Sequence, residues 1–135
     1  MSAVFPSLEW LQELEKKLNS DEKYAQIAKN WEGDMLCQLD ADDRLDKQML
    51  LYIDLWHGKC RAVAMWDEIG EKKPAFILKA SYTNFLRVLQ GDLDPMQAML
   101  TRKLGVQGNM AVMMRNVPTV LDFVRCAREV TDEAL

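Results

Sequence analysis

The stretch Ser81-Tyr82-Thr83-Asn84-Phe85-Leu86-Arg87-Val88-Leu89-Gln90-Gly91-Asp92-Leu93-Asp94-Pro95-Met96-Gln97-Ala98-Met99-Leu100 carries the punctuation of two successive helices. Ser81 is suited to cap the first, because its hydroxyl accepts from a free N–H of the opening turn, and Tyr82, Phe85, Leu86 and Leu89 then recur at helical spacing. Gly91 follows, the residue that most easily takes the left-handed conformation closing a helix. Asp94-Pro95 opens the second helix: the carboxylate caps, and a proline in the first turn gives up no hydrogen bond. Downstream, Lys103 to Gln107 reads as a short strand, and Gly108-Asn109 turns into Met110 to Arg115. Asn116, with Pro118 just beyond it, is expected to cap a last helix bearing Val120, Leu121, Phe123, Val124, Cys126, Ala127 and Val130.

Upstream the apolar period is two. Met35, Cys37 and Leu39 alternate with Asp34 and Gln38, and Leu51, Ile53 and Leu55 with Tyr52, Asp54 and Trp56, and the charged run Asp40 to Lys47 connects these two strands. His57-Gly58-Lys59 is a tight turn into a third strand, in which Cys60, Ala62, Ala64 and Trp66 alternate with Arg61, Val63 and Met65. Glu71-Lys72-Lys73-Pro74 turns into a fourth, Ala75 to Ala80, and these four strands are expected to form an antiparallel meander. Before them, Leu8, Leu11, Leu14 and Leu18 make one apolar stripe of an opening helix, and Asn19 and Glu22, three apart as in a capping box, introduce a second helix at about 21 to 30. The order α-α-β-β-β-β-α-α-β-α-α predicts an α+β fold, a five-stranded mostly antiparallel sheet with helices covering one face.

The 135 residues fit one domain spanning 1–135, and 49% hydrophobic with 28% charged residues predicts a globule rather than a disordered chain. A net charge of −4 opposes contact with phosphate backbones, so nucleic acid is not an expected partner. No basic segment followed by a long apolar run stands at the N-terminus, and three cysteines cannot all pair, which points to a reducing, cytoplasmic setting. Uninterrupted apolar runs such as Met49 to Ile53 and Met110 to Met114 fall far short of the about 20 residues of a membrane span, so a soluble protein is expected.

With His57 as the only histidine, a multi-histidine metal centre is impossible and any histidine-based triad must use that residue. His57 and Cys60, even with Cys37 on a neighbouring strand, lack a fourth zinc ligand and read as a hairpin turn with a buried thiol. Asp40, Asp42, Asp43 and Asp46 lack the Gly and Glu positions of a calcium loop and read as a solvated connection. None of Ser2, Ser7, Ser20 and Ser81 lies in G-x-S-x-G, and neither a P-loop nor G-x-G-x-x-G is present. No metal, no cofactor and no catalytic constellation is expected.

Nine methionines stand out, five of them at Met96, Met99, Met110, Met113 and Met114. Flexible thioethers either fill a core or line a site that must fit variable apolar ligands. The run Phe85 to Ala98, continuing through Arg102-Lys103-Leu104-Gly105-Val106-Gln107-Gly108-Asn109-Met110, resembles the sterol carrier protein type 2 family, through Gly91, Pro95, Ala98, Lys103-Leu104 and Gly108-Asn109-Met110. Tyr52-Ile53-Asp54-Leu55 and the His57-Gly58-Lys59 turn are similar to the family's second strand and hairpin, so the resemblance covers roughly residues 7 to 116. It implies a five-stranded sheet and helices enclosing an apolar tunnel, and noncatalytic binding and transfer of a fatty acid, fatty acyl-CoA or sterol-like lipid. The chain departs from the peroxisomal members at Glu133-Ala134-Leu135, which shares only the last leucine with their signal, and in its long terminal helix from Val117 to Glu133.

On that reading the lipid contacts fall to Ile53, Leu55 and Ala64 of the sheet, with Phe85, Leu86, Leu89, Met96, Met99, Leu100, Met110, Met113, Met114, Val120, Leu121 and Val124 of the helices, as tunnel lining or as solid core. Basic residues outnumber acidic ones only in the second half of the chain, where Arg102, Lys103 and Arg115 are candidates for a lipid head group. The first helix has an apolar stripe without a basic face, so any membrane contact is expected to be transient. A lipid-responsive dimerisation or regulatory module acting with an enzyme partner is the alternative; the oligomeric state is left open.

Overall fold

The computed structural model describes residues 3–70 and 73–134; the expected turn at Glu71-Lys72-Lys73-Pro74 lies partly outside them. In chain order the elements are β1 (Ala3–Phe5), α1 (Leu8–Ser20), α2 (Glu22–Ile27), β2 (Met35–Asp40), β3 (Met49–Trp56), β4 (Lys59–Trp66), β5 (Phe76–Ser81), α3 (Tyr82–Gln90), α4 (Pro95–Leu100), β6 (Gly105–Gln107), α5 (Met110–Arg115), α6 (Val117–Glu129) and β7 (Thr131–Ala134). The caps act where the sequence places them: the Ser81 hydroxyl accepts from Asn84 N, Gly91 closes α3 in the left-handed region, and the Asp94 carboxylate accepts from Gln97 N. Two expected caps are corrected. Asp21, not Asn19, caps α2 by accepting from Tyr24 N, while the Asn19 amide bonds to both backbone groups of Cys60. Asn116 donates back to Val112 O instead of capping α6.

The five-stranded sheet has the order β4-β3-β2-β5-β6 and is α+β with helices, as expected. It is mixed: β2 pairs with β5 in parallel, and the other pairs are antiparallel. The four-stranded meander is therefore corrected, because β5 joins the far edge of β2 rather than following β4. Asp34 supplies the physical reason. Its carboxylate accepts from Ala75 N at 2.7 Å and from the Tyr52 hydroxyl at 2.7 Å, and its carbonyl accepts from Phe76 N at 3.1 Å, which fastens the start of β5 beside the start of β2. The edge of β2 thereby satisfies its backbone groups.

Alternation sorts the sheet into two faces. Met35, Cys37, Leu39, Leu51, Ile53, Leu55, Phe76 and Leu78 pack toward the helices, and Leu36, Leu50, Tyr52, Ala64, Trp66 and Ile77 form a separate cluster on the other face. A bulge at Asp54/Leu55 inserts one residue into β4, so Cys60 shares the helical face with Val63 and Met65 rather than with Ala62 and Ala64. The β3–β4 turn, His57-Gly58, docks on α2: a Cβ on Gly58, at φ +78°, would stand 2.7 Å from Ala25 O.

On the helical side, Leu11, Leu14 and Leu18 of α1 are fully buried, with Trp10 beside them, whereas Leu8 is exposed and leaves the expected stripe. The stripe thus serves packing. α6 closes the layer and is held by ion pairs: Arg125 donates to Asp21 and Asp122, both at 2.8 Å, and to Glu129 at 2.9 Å, while Lys17 bridges Asp21 at 3.1 Å and Glu129 at 2.8 Å. β1, of three residues, and β7, of four, are too short to show a period; they pair in parallel and join the chain ends. Among the described residues no helix is long and apolar enough to cross a membrane.

Candidate functional site

Between the sheet and the helical layer lies a cavity of about 110 Å³, lined by β2, β3 and β5 below and by α1 to α6 above, with Phe5 of β1 at one side. Its lining is apolar. Met35, Cys37, Leu39, Leu51, Ile53, Leu55 and Leu78 form the floor; Trp10, Tyr24, Phe85, Val88, Leu89, Met99, Met113, Thr119, Val120, Phe123, Val124 and Ala127 form walls and roof, with Trp31, Pro95 and Leu104 from loops and a helix start. A water needs roughly 10–15 Å³ of such space together with two to four polar partners, so the cavity has room for several but hardly any groups to hold them.

Of the expected lipid contacts, Ile53, Leu55, Phe85, Leu89, Met99, Met113, Val120 and Val124 face this cavity. The others do not, and each for a physical reason. Ala64 is on the opposite sheet face, because the β4 bulge inverts the alternation. Leu86 is buried in solid core and Met96 packs partly buried against it. Leu100, Met114 and Leu121 each follow a lining residue, Met99, Met113 and Val120, and a step of about 100° around a helix turns them to solvent. Met110 opens α5 and is exposed. The aromatic walls Phe5, Trp10, Tyr24 and Trp31 were missing from the expected lining; their signal was the aromatic content of the first two helices and the strap after them.

Arg102, Lys103 and Arg115 are exposed, and none forms an ion pair among the described residues. Arg102 takes a left-handed conformation, φ 63°, in the turn between α4 and β6. Each lies within three residues of a lining side chain, Met99, Leu104 or Met113, in sequence.

The polar chemistry at the cavity is sparse. Trp10 Nε1 donates to Thr131 Oγ1 at 2.8 Å, Trp31 Nε1 to Gly33 O at 2.9 Å, and Thr119 Oγ1 to Ile27 O at 3.2 Å. Burial pushes the Cys37 thiol up to about 12, so it is neutral and a poor nucleophile. Cys60 and Cys126 are likewise raised by burial, to about 12 and about 11. His57 Nε2 meets Glu32 Oε2 at 2.6 Å on the exposed turn. The potential metal ligands that the described residues gather within 4.8 Å of one another are Asp21, Asp122 and Cys126. The Arg125 guanidinium already binds both carboxylates there, which gives that cluster its counter-charge without a metal. In the acidic connection, Asp42 accepts from Thr83, Arg44 and Leu45 instead of pointing at a shared centre.

The geometry has counterparts among solved structures. A crystal structure of sterol carrier protein 2 is 30% identical, with 93% of this chain and 98% of that one covered at a TM-score of 0.83. A Thermus thermophilus protein described as possibly a sterol carrier protein is also 30% identical, with 93% and 88% covered and a TM-score of 0.83. Domain 2 of the sterol carrier protein of Helicoverpa armigera shares the fold at 22% identity, 90% and 87% coverage and a TM-score of 0.61. No curated protein matches the sequence. The sequence pattern of the SCP-2 sterol transfer family matches residues 11–120, and the chain belongs to that family.

Proposed function

We propose that this protein binds one apolar lipid in the cavity between sheet and helices and exchanges it with membranes, without catalysis or a cofactor. The cavity carries this reading. At about 24 cal/mol per Å³ of void, an apolar space of about 110 Å³ costs on the order of 3 kcal/mol of folding stability, which a solid core would keep. A ligand supplies the missing contacts. Each buried methylene adds ~0.8 kcal/mol of transfer from water; an apolar cavity of about 150 Å³ takes a benzene-sized group, so the space already open takes the first few methylenes and a longer chain parts the helices from the sheet. Against a bilayer the same chain leaves one apolar medium for another, so exchange is near neutral and reversible.

A charged head group, where the lipid has one, stays at the surface near Arg102, Lys103 and Arg115, since burying it unpaired is costly. The outward Leu100, Met114 and Leu121, next to lining residues, are the side chains for brief membrane contact. Organic extraction and mass spectrometry of protein purified from several hosts test the proposal. Co-purified lipid, or uptake of added fatty acid or sterol by lipid-free protein, is expected; protein that is consistently empty and ignores both overturns it.

A further inference from the structure

We propose that the Tyr24 hydroxyl recognises a neutral oxygen on the bound lipid at the α2 side of the cavity; this rests on the lipid-binding reading. Tyr24 lines the cavity and is fully buried. Among the described residues its Oη is the buried side-chain polar atom left without a hydrogen-bond partner. Such an orphan carries the full desolvation penalty of its group, and phenylalanine would fill the same space without it. The hydroxyl therefore has unspent capacity where the surroundings offer nothing to use it.

The neighbouring groups define what would fit. The tryptophan N–H groups of the cavity are already engaged. Thr119 Oγ1 spends its proton on Ile27 O and retains acceptor capacity. A neutral ligand oxygen, hydroxyl or carbonyl, can accept from Tyr24.

Charge narrows the class further. Burial above all, with smaller contributions from the neighbouring Cys60, Cys126 and Asp122, holds the Tyr24 hydroxyl protonated. The apolar surroundings and the Asp122 carboxylate oppose a second anion. The nearby Arg125 is committed to Asp21, Asp122 and Glu129, and Lys23 faces Asp122 from the surface side. A carboxylate or phosphate would enter this end unpaired, whereas an alcohol or sterol-like hydroxyl would not.

The experiment pairs Tyr24→Phe with two probes of equal chain length, dodecanol and dodecane, each titrated by displacement of a fluorescent apolar dye. Tyr24→Phe is expected to weaken dodecanol about five- to tenfold and to leave dodecane within about twofold. The lipid-free variant should melt at the same or a higher temperature, because an unsatisfied group has been removed. In the unmodified protein the isotope-labelled Cζ resonance of Tyr24 should move with dodecanol and stay with dodecane. If both probes bind but dodecanol binds the variant as tightly as the unmodified protein, or dodecane is weakened equally, the hydroxyl is no recognition point and lipid binding stands. If neither probe binds the unmodified protein, the lipid-binding reading falls and this inference with it.

Discussion

Val124→Trp puts an indole into the void from the α6 side and closes most of it. Val124 is a lining residue, and the space in front of it is about 110 Å³. In the unmodified protein, affinity along a series of fatty acids should rise about fourfold per methylene, the equivalent of ~0.8 kcal/mol, until the cavity is full. The added ring covers on the order of 100 Å² of wall, the share of three or four methylenes. Because an apolar cavity of about 150 Å³ takes one benzene-sized group, the ring fills most of the void, and chains of every length should lose about 3 kcal/mol, on the order of a hundredfold in affinity. Displacement of a fluorescent fatty acid across chain lengths reads this directly. The lipid-free variant should melt no lower than the parent, because filling a void removes part of its cost of about 24 cal/mol per Å³. An affinity that ignores chain length, or long chains that bind a folded Val124→Trp undiminished, would refute the assignment of this cavity as the lipid site.

Acid should unfasten α6. Hydrogen bonds from Arg125 and from Tyr24 N hold Asp21 below the ordinary carboxylate range, and Lys17 and then Arg125 do the same for Glu129. Their folded values being depressed, the stabilisation is full above the unfolded carboxylate range near pH 4 and is lost as pH falls through the folded values, so melting temperature should be flat above about pH 5 and drop below about pH 4. Arg125→Met should flatten that drop, and a drop of the same size in the variant would contradict the assignment. Gly58→Ala should cost on the order of 2–4 kcal/mol in urea denaturation, combining left-handed strain with the Cβ at 2.7 Å from Ala25 O; a loss below about 1 kcal/mol would show that the turn does not rest on α2 as described.

The ends of α3 and the start of α4 were legible because Ser81, Gly91 and Asp94 act through bonds to residues three or four positions away, a range a linear reading covers. The edge chosen by β5 was not, since a strand's period says which residues share a face but nothing about its neighbour. That choice turns on Asp34 reaching Ala75, 41 residues on. Ala64 failed for a related reason: one inserted residue in β4 inverts the alternation, and a bulge leaves no mark in the apolar pattern. Among the helical candidates, Met99 and Leu100, Met113 and Met114, or Val120 and Leu121 are chemically alike, and only the rotation of each helix on the sheet decides which faces inward. Tyr24 was passed over because an aromatic in an amphipathic helix reads as core. Its missing hydrogen bond is visible only when every neighbour is in place.

On the proposed reading, holding and selecting are separable in this cavity. The apolar walls treat a lipid chain much as a bilayer does, so they set how long a chain is held in water and contribute little to choosing one lipid over another of the same length. A single hydrogen bond has the opposite character: it adds about tenfold in affinity at most, and only for a ligand whose oxygen reaches it. Because that bond is modest, a lipid that makes it can still leave for a membrane, where water and head groups satisfy the same oxygen. The Tyr24 hydroxyl can thus bias which lipid is loaded without trapping it, whereas a buried ion pair at the same place would make release slow.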